Sequence, residues 1–188
     1  MSFNKLFLLI LLSSVLLFSR NTVGLNINTE DLELTGEMDV NTFSEYTNGT
    51  MFVVNANYLN TIDDNLFGLG LSANNSYQGA EGLSLGFGAK FIYLENFMAF
   101  PLMAEATYAF MLMDNIPMAS LSANILYAPT ALSFDEANNY FEFRAEAAME
   151  VINAVSLYVG YRDIETEYIY FDFETFNSSF YGGLKMSF

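Results

Sequence analysis

Cysteine, histidine and tryptophan are all absent from this 188-residue sequence, and only six residues are basic. Without cysteine there are no disulfides and no thiolate metal sites. Without histidine the commonest catalytic base and metal ligand is missing, so neither a Ser-His nor a Cys-His nucleophile pair can form. Lys5 and Arg20 lie in or beside the first apolar run, which leaves Lys90, Arg144, Arg162 and Lys185 against 22 acidic residues. That balance excludes nucleic-acid binding through a basic patch. Long apolar runs are scarce as well. Leu6 to Phe18 is short of the ~20 residues a membrane-spanning helix needs, and no other stretch approaches it.

What is present is 53% hydrophobic and 16% aromatic residues beside a formal charge of −16. The acidic excess implies solubility and a cation-attracting field. Residues 1–24 read as a secretory signal: Lys5 supplies the positive start, Leu6 to Phe18 the apolar core, and Thr22-Val23-Gly24 a cleavage point, with Ser19 as the other position. Residues 25–188 then form the mature domain.

From there the period is two. Residues 178–188 place Phe180, Gly182, Leu184, Met186 and Phe188 on one face and Ser179, Tyr181, Gly183, Lys185 and Ser187 on the other. The same alternation runs through 50–58, 66–74, 82–93, 99–112, 117–127, 139–149 and 154–164, and more weakly through 32–40 and 42–47. Segments of this length match tilted strands through a bilayer. One face is apolar, often with Tyr58, Tyr93, Tyr127 or Phe188 near an end; the other is Gly, Ser, Asn and charge. The pattern predicts an all-β fold, a small antiparallel transmembrane β-barrel of ten strands with eight as the alternative. Phe180, Leu184, Met186 and Phe188 would form the lipid face of its closing strand. A secreted soluble β-barrel with its apolar face inside is the rival.

An even strand count puts both termini at one end, the periplasmic end in an outer membrane. Turns near 75–81, 113–116 and 150–153 then share that end. Loops near 59–65, 94–98, 128–138 and 165–176 lie outside with most loop acids, among them Asp63, Asp64, Glu95, Asp135, Glu136, Glu165 and Glu167. That acidic rim suits solvated loops, or divalent cations bridging to lipid headgroups, although no spacing matches a calcium loop.

All four mature basic residues fall on the lumen parity of different strands, and Glu105, Glu142 and Glu146 share it. Glu142-x-Arg144-x-Glu146 stacks acid, base and acid at ~7 Å per step. Charge inside a narrow barrel must be paired or wet. The expected feature is a lumen network of Lys90, Glu105, Glu142, Arg144, Glu146, Arg162 and Lys185, acting as a plug or as the constriction of a narrow cation path. A wide pore is excluded, because porins need about 16–18 strands. The inward glycines Gly68, Gly70, Gly86, Gly88, Gly160 and Gly183 either leave a slim passage or make room for Tyr140, Tyr158, Tyr181 and the arginines.

No catalytic residues, metal site or cofactor are expected. A carboxylate pair could act on glycosides, but Glu142 and Glu146 lie about 13 Å apart along one strand. The function expected is structural or interactive, through the acidic outer loops, with a cation-favouring channel as the alternative.

The stretch from Leu126 to Glu165, LYAPTALSFDEANNYFEFRAEAAMEVINAVSLYVGYRDIE, resembles the YfaZ family of outer-membrane proteins. The Tyr-x-Pro before Ser-Phe-Asp-Glu-Ala, the strand 139–149 and Tyr-Val-Gly-Tyr-Arg at 158–162 carry the likeness, and the closing Phe-Tyr-Gly-Gly-Leu-Lys-Met-Ser-Phe is similar in style. The resemblance implies an outer-membrane barrel and assigns no functional residues. The partners to expect are outer-membrane lipid and lipopolysaccharide, and the barrel-assembly machinery through the C-terminal strand.

Overall fold

Alternation of apolar and polar residues leaves each strand with one face for lipid and one for a polar interior, and the chain closes on itself accordingly. The computed structural model describes residues 21–41, 49–62, 64–110, 118–169 and 174–188. Twelve strands join in one antiparallel sheet: β1 (Asn21–Ile27), β2 (Leu32–Asp39), β3 (Met51–Asn60), β4 (Asn65–Ser76), β5 (Leu83–Leu94), β6 (Phe97–Ala99), β7 (Leu102–Phe110), β8 (Ala119–Ala128), β9 (Ser133–Asp135), β10 (Ala137–Ile152), β11 (Val155–Tyr168) and β12 (Glu174–Ser187). β4 pairs with both β3 and β5, so ten of them form a closed ring; β6 and β9 hang from β5 as a short two-strand flap.

The ring closes where β1 meets β12, from Thr22 opposite Ser187 to Ile27 opposite Gly182. Asn21 and Phe188 add two backbone hydrogen bonds, N–H to carbonyl in each direction, at 3.0 and 2.9 Å. Full closure leaves no strand edge unpaired in hydrocarbon, the condition a membrane imposes on a sheet.

Ten strands agree with the sequence, but the membership differs. β1 supplies one that the alternation did not reveal, because its Val23, Leu25 and Ile27 follow directly on the first apolar run. The segment 42–47 lies outside the described residues. The span 165–176, read as a loop, is largely hairpin: β11 and β12 continue, with Glu165 opposite Thr175 and Thr166 opposite Glu174. Threonine, glutamate and tyrosine there sustain a polar ladder past the apolar belt. The loop at 128–138 likewise contains β9, and β6 straddles the loop at 94–98 and the first residue of the segment 99–112, whose strand β7 starts only at Leu102; β6 and β9 have three residues each. A three-residue strand is too short to show a period.

The apolar faces point outward. Phe87, Phe180, Val159 and Leu102 are each at least 60% exposed, while their inward neighbours are polar or buried. This is the reverse of a soluble barrel, which packs its apolar face inside, and it overturns the soluble alternative. Tyr58, Phe67 and Tyr93 stand side by side in register on β3, β4 and β5, with Tyr127 beside Phe141 farther round. All three tyrosines are exposed near the loop end, where their amphipathic rings suit the membrane interface.

Candidate functional site: the charged lumen

The lumen changes character along its axis. At the loop end the inward positions are apolar: Leu59, Leu66, Ile92, Leu94, Leu126, Ala128 and Ile164 are buried. The flap adds Phe97 and Ala99, which fold in over the mouth. Phe97 packs against Tyr168 edge-on at 5.2 Å between centroids and against Tyr140 at 6.1 Å. Together these side chains cap the barrel with a dry core of the kind found in soluble domains.

Beneath the cap lies the ion network. Its hub is Glu33 on β2, fully enclosed. Arg144 Nη1 and Nη2 each donate to it at 2.8 Å, and Arg162 Nη1 donates at 2.7 Å. Asn26 and Asn57 add their amide N–H groups at 2.8 Å. The pair formed with Arg144 is bidentate, the geometry in which a guanidinium binds a carboxylate most strongly. Arg144 and Arg162 sit directly opposite each other on β10 and β11. Such a like-charge pair is unfavourable by itself, and Glu33 reaches across from β2 to separate them. Arg144 Nε also donates to Glu142, whose other oxygen accepts the Tyr140 hydroxyl at 2.6 Å. Arg162 Nη2 donates to Asp31 at 3.1 Å, and Asn28, Asn177 and Ser179 donate to the same carboxylate.

A second pair stands apart, nearer the termini. Lys185 Nζ donates to Glu146 at 2.7 Å, the Tyr181 hydroxyl donates to the same carboxylate at 2.8 Å, and the ammonium lies 4.7 Å from the Tyr158 ring centre.

Of the seven lumen residues expected from parity, Glu142, Arg144 and Arg162 meet in the network, and Glu146 pairs with Lys185 rather than with Arg144. Lys90 is buried facing the lumen but forms no ion pair among the described residues, among which Glu105 accepts only a 3.4 Å hydrogen bond from Thr107. Sequence reasoning missed Glu33 and Asp31. The signal for Glu33 was available, since it shares the polar parity of β2 with Thr35, Glu37 and Asp39.

The lumen glycines also find their role. A Cβ on Gly160 would lie 2.6 Å from the Tyr181 ring, and one on Gly183 would lie 2.5 Å from that of Tyr158. These glycines make floor space for flat-lying tyrosines. Below the network a polar cavity of about 390 Å³ runs toward the end that carries the termini; its lining includes Thr35, Glu37, Asn55, Ser72, Asn74, Lys90, Glu105 and Asn124.

The family described as "YfaZ precursor" matches residues 7–188. No curated protein matches the chain. Among solved structures it is similar to one titled "NanC porin structure in rhombohedral crystal form" (TM-score 0.48, 10% identity) and to "KdgM porin" (TM-score 0.43, 8% identity); each alignment covers 90% of this chain and 99% of the other. A ten-stranded barrel with lipid-facing apolar walls and a charged interior, matched by the family over nearly its whole length, belongs to the YfaZ family.

Proposed function

We propose that this chain is a structural barrel of the outer membrane, with its termini toward the periplasm, whose lumen is closed to through-flow and whose acidic loop end makes the outward contacts. The observation that carries this reading is the apolar cap of Leu59, Leu66, Ile92, Leu94, Phe97 and Leu126 stacked on the Glu33–Arg144–Arg162 network. A solute or ion on the axis would have to open a dry core and then break buried, mutually satisfied ion pairs. Breaking such a pair costs about 3–5 kcal/mol. Lipid and lipopolysaccharide would contact the apolar belt and the acidic rim, and the assembly machinery would take hold of β12. A non-enzymatic role fits a composition without histidine or cysteine.

The second reading, a narrow cation-favouring path, draws on the polar cavity with Glu37 and Glu105 on its wall. Planar-bilayer recording of the refolded mature protein separates the two. The closed reading expects no current from a protein that inserts and runs on gels as a heat-modifiable barrel. Discrete cation-selective steps that change with Arg144→Ala would replace it with the channel.

A further inference from the structure

The cavity below the network holds a charge that the closed-barrel reading does not use. Lys90 is 8% exposed and lines the cavity just beneath the cap, one inward position below Ile92. Its ammonium makes no hydrogen bond or ion pair among the described residues; Glu142 and Glu33 act on it only through space. A buried ammonium without a partner is costly unless something polar reaches it. Toward the termini the cavity wall turns acidic, with Glu37, Glu105 and Glu146 set against one ammonium, that of Lys185, already paired with Glu146. Glu105 carries no ion pair among the described residues. It stands opposite Gly86, four residues along β5 from Lys90, or about 13 Å of strand. Both side chains extend into the cavity and shorten that span. Asn55 stands level with Lys90 and Asn74 and Asn124 stand level with Glu105, while the wall between the two charges is Ser72 among the apolar Val53, Met103 and Leu126.

We propose that this cavity binds a short linear peptide of two or three small residues, entering from the terminal end. Its carboxylate would lie on Lys90 and its ammonium against Glu105 and Glu37. An extended tripeptide spans ~10 Å, comparable with the gap left once the side chains reach inward. Its two ends would lie beside Asn55 and beside Asn74 and Asn124, its middle side chain would rest on Met103 and Leu126, and a cavity of about 390 Å³ restricts the side chains to small ones. The inference rests on the closed-lumen reading only in treating the cavity as blind at the cap.

The test is calorimetric titration of trialanine into the full-length mature barrel refolded in detergent, beside N-acetyl-trialanine and trialanine amide. Trialanine should bind, and capping either end should weaken it about tenfold or more, the loss expected of one charge-assisted contact. Lys90→Met should abolish discrimination against the amide, and Glu105→Gln should reduce discrimination against the acetylated peptide. Heat-modifiable migration shows that each variant is folded, so a misfolded Lys90→Met leaves Glu105→Gln to decide. No binding at millimolar peptide, or equal binding of capped and free peptides, overturns the proposal. Current in the bilayer experiment would overturn the closed lumen while the titration still judged the peptide site on its own terms.

Discussion

Glu33 shows how far parity carries at the scale of single residues. Period two assigns every residue of a strand to one face or the other, and it assigned all seven expected charges to the lumen. It does not say which charges touch, because contacts across a barrel depend on tilt and closure. Glu33 and Arg144 are 111 positions apart in sequence and four strands apart round the ring. Of the expected stack, Arg144 keeps Glu142, Glu146 turns to Lys185, and the hub of the network lies on another strand. Removing that hub leaves Arg144 only Glu142 and Arg162 only Asp31 as ion-pair partners among the described residues. Glu33→Ala should lower stability by about 3–5 kcal/mol, read as a shifted urea unfolding midpoint in detergent. Glu105→Gln removes no ion pair and should shift the midpoint far less. At Gly183 a Cβ would meet both the Tyr158 ring and the Leu25 carbonyl oxygen at 2.5 Å. Gly183→Val should cost about 1–3 kcal/mol by overpacking in the same assay.

At the scale of elements, eight strands and β2 were legible because each repeats its alternation over eight or more residues. β1 was not, since it begins where a signal-like run ends. All seven of its residues pair with β2 and the last six with β12, and residues 21–24 supply four rungs on the first side and three on the second, with the Asn21–Phe188 backbone hydrogen bonds beyond them. A chain cut after Gly24 would leave facing backbone groups of β2 and β12 unpaired within the wall, at several kilocalories each in hydrocarbon. Processing is therefore expected before Asn21, at Ser19 or Arg20, and intact-mass measurement of protein recovered from membranes checks it. A chain starting at Leu25 should fail to become heat-modifiable, whereas one starting at Asn21 should succeed. The flap of β6 and β9 was illegible for another reason. Its apolar residues sit in loops, where alternation has no length in which to appear, and only the closed ring gives them something to cover.

For the whole molecule, the absence of cysteine becomes an experimental asset. Single cysteines can be placed without background labelling. With the protein in sealed vesicles, Ser122→Cys on the cavity wall should react with a membrane-impermeant maleimide from the side of the termini only. Phe134→Cys on the flap should react from the opposite side, since Phe134 is 47% exposed. Ala128→Cys, within the cap, should resist the reagent from either side. Labelling of Ser122→Cys from both sides would mean that the lumen is continuous.

The distribution of charge among the strands also constrains how the barrel enters a bilayer. Residues 31–39 carry Asp31, Glu33, Glu37 and Asp39 with no cation, and the arginines that neutralise Asp31 and Glu33 belong to β10 and β11 on the far arc of the ring. Neither hairpin that contains β2 is electrically balanced, so threading that strand through lipid ahead of β10 and β11 would expose its acids to hydrocarbon. The pairing of Asp31 and Glu33 is a property of the closed circle. Insertion should then be all-or-none, with the first and last strands meeting as the sheet crosses, and a pulse-labelled population should pass from unfolded to protease-resistant without a partly inserted species between.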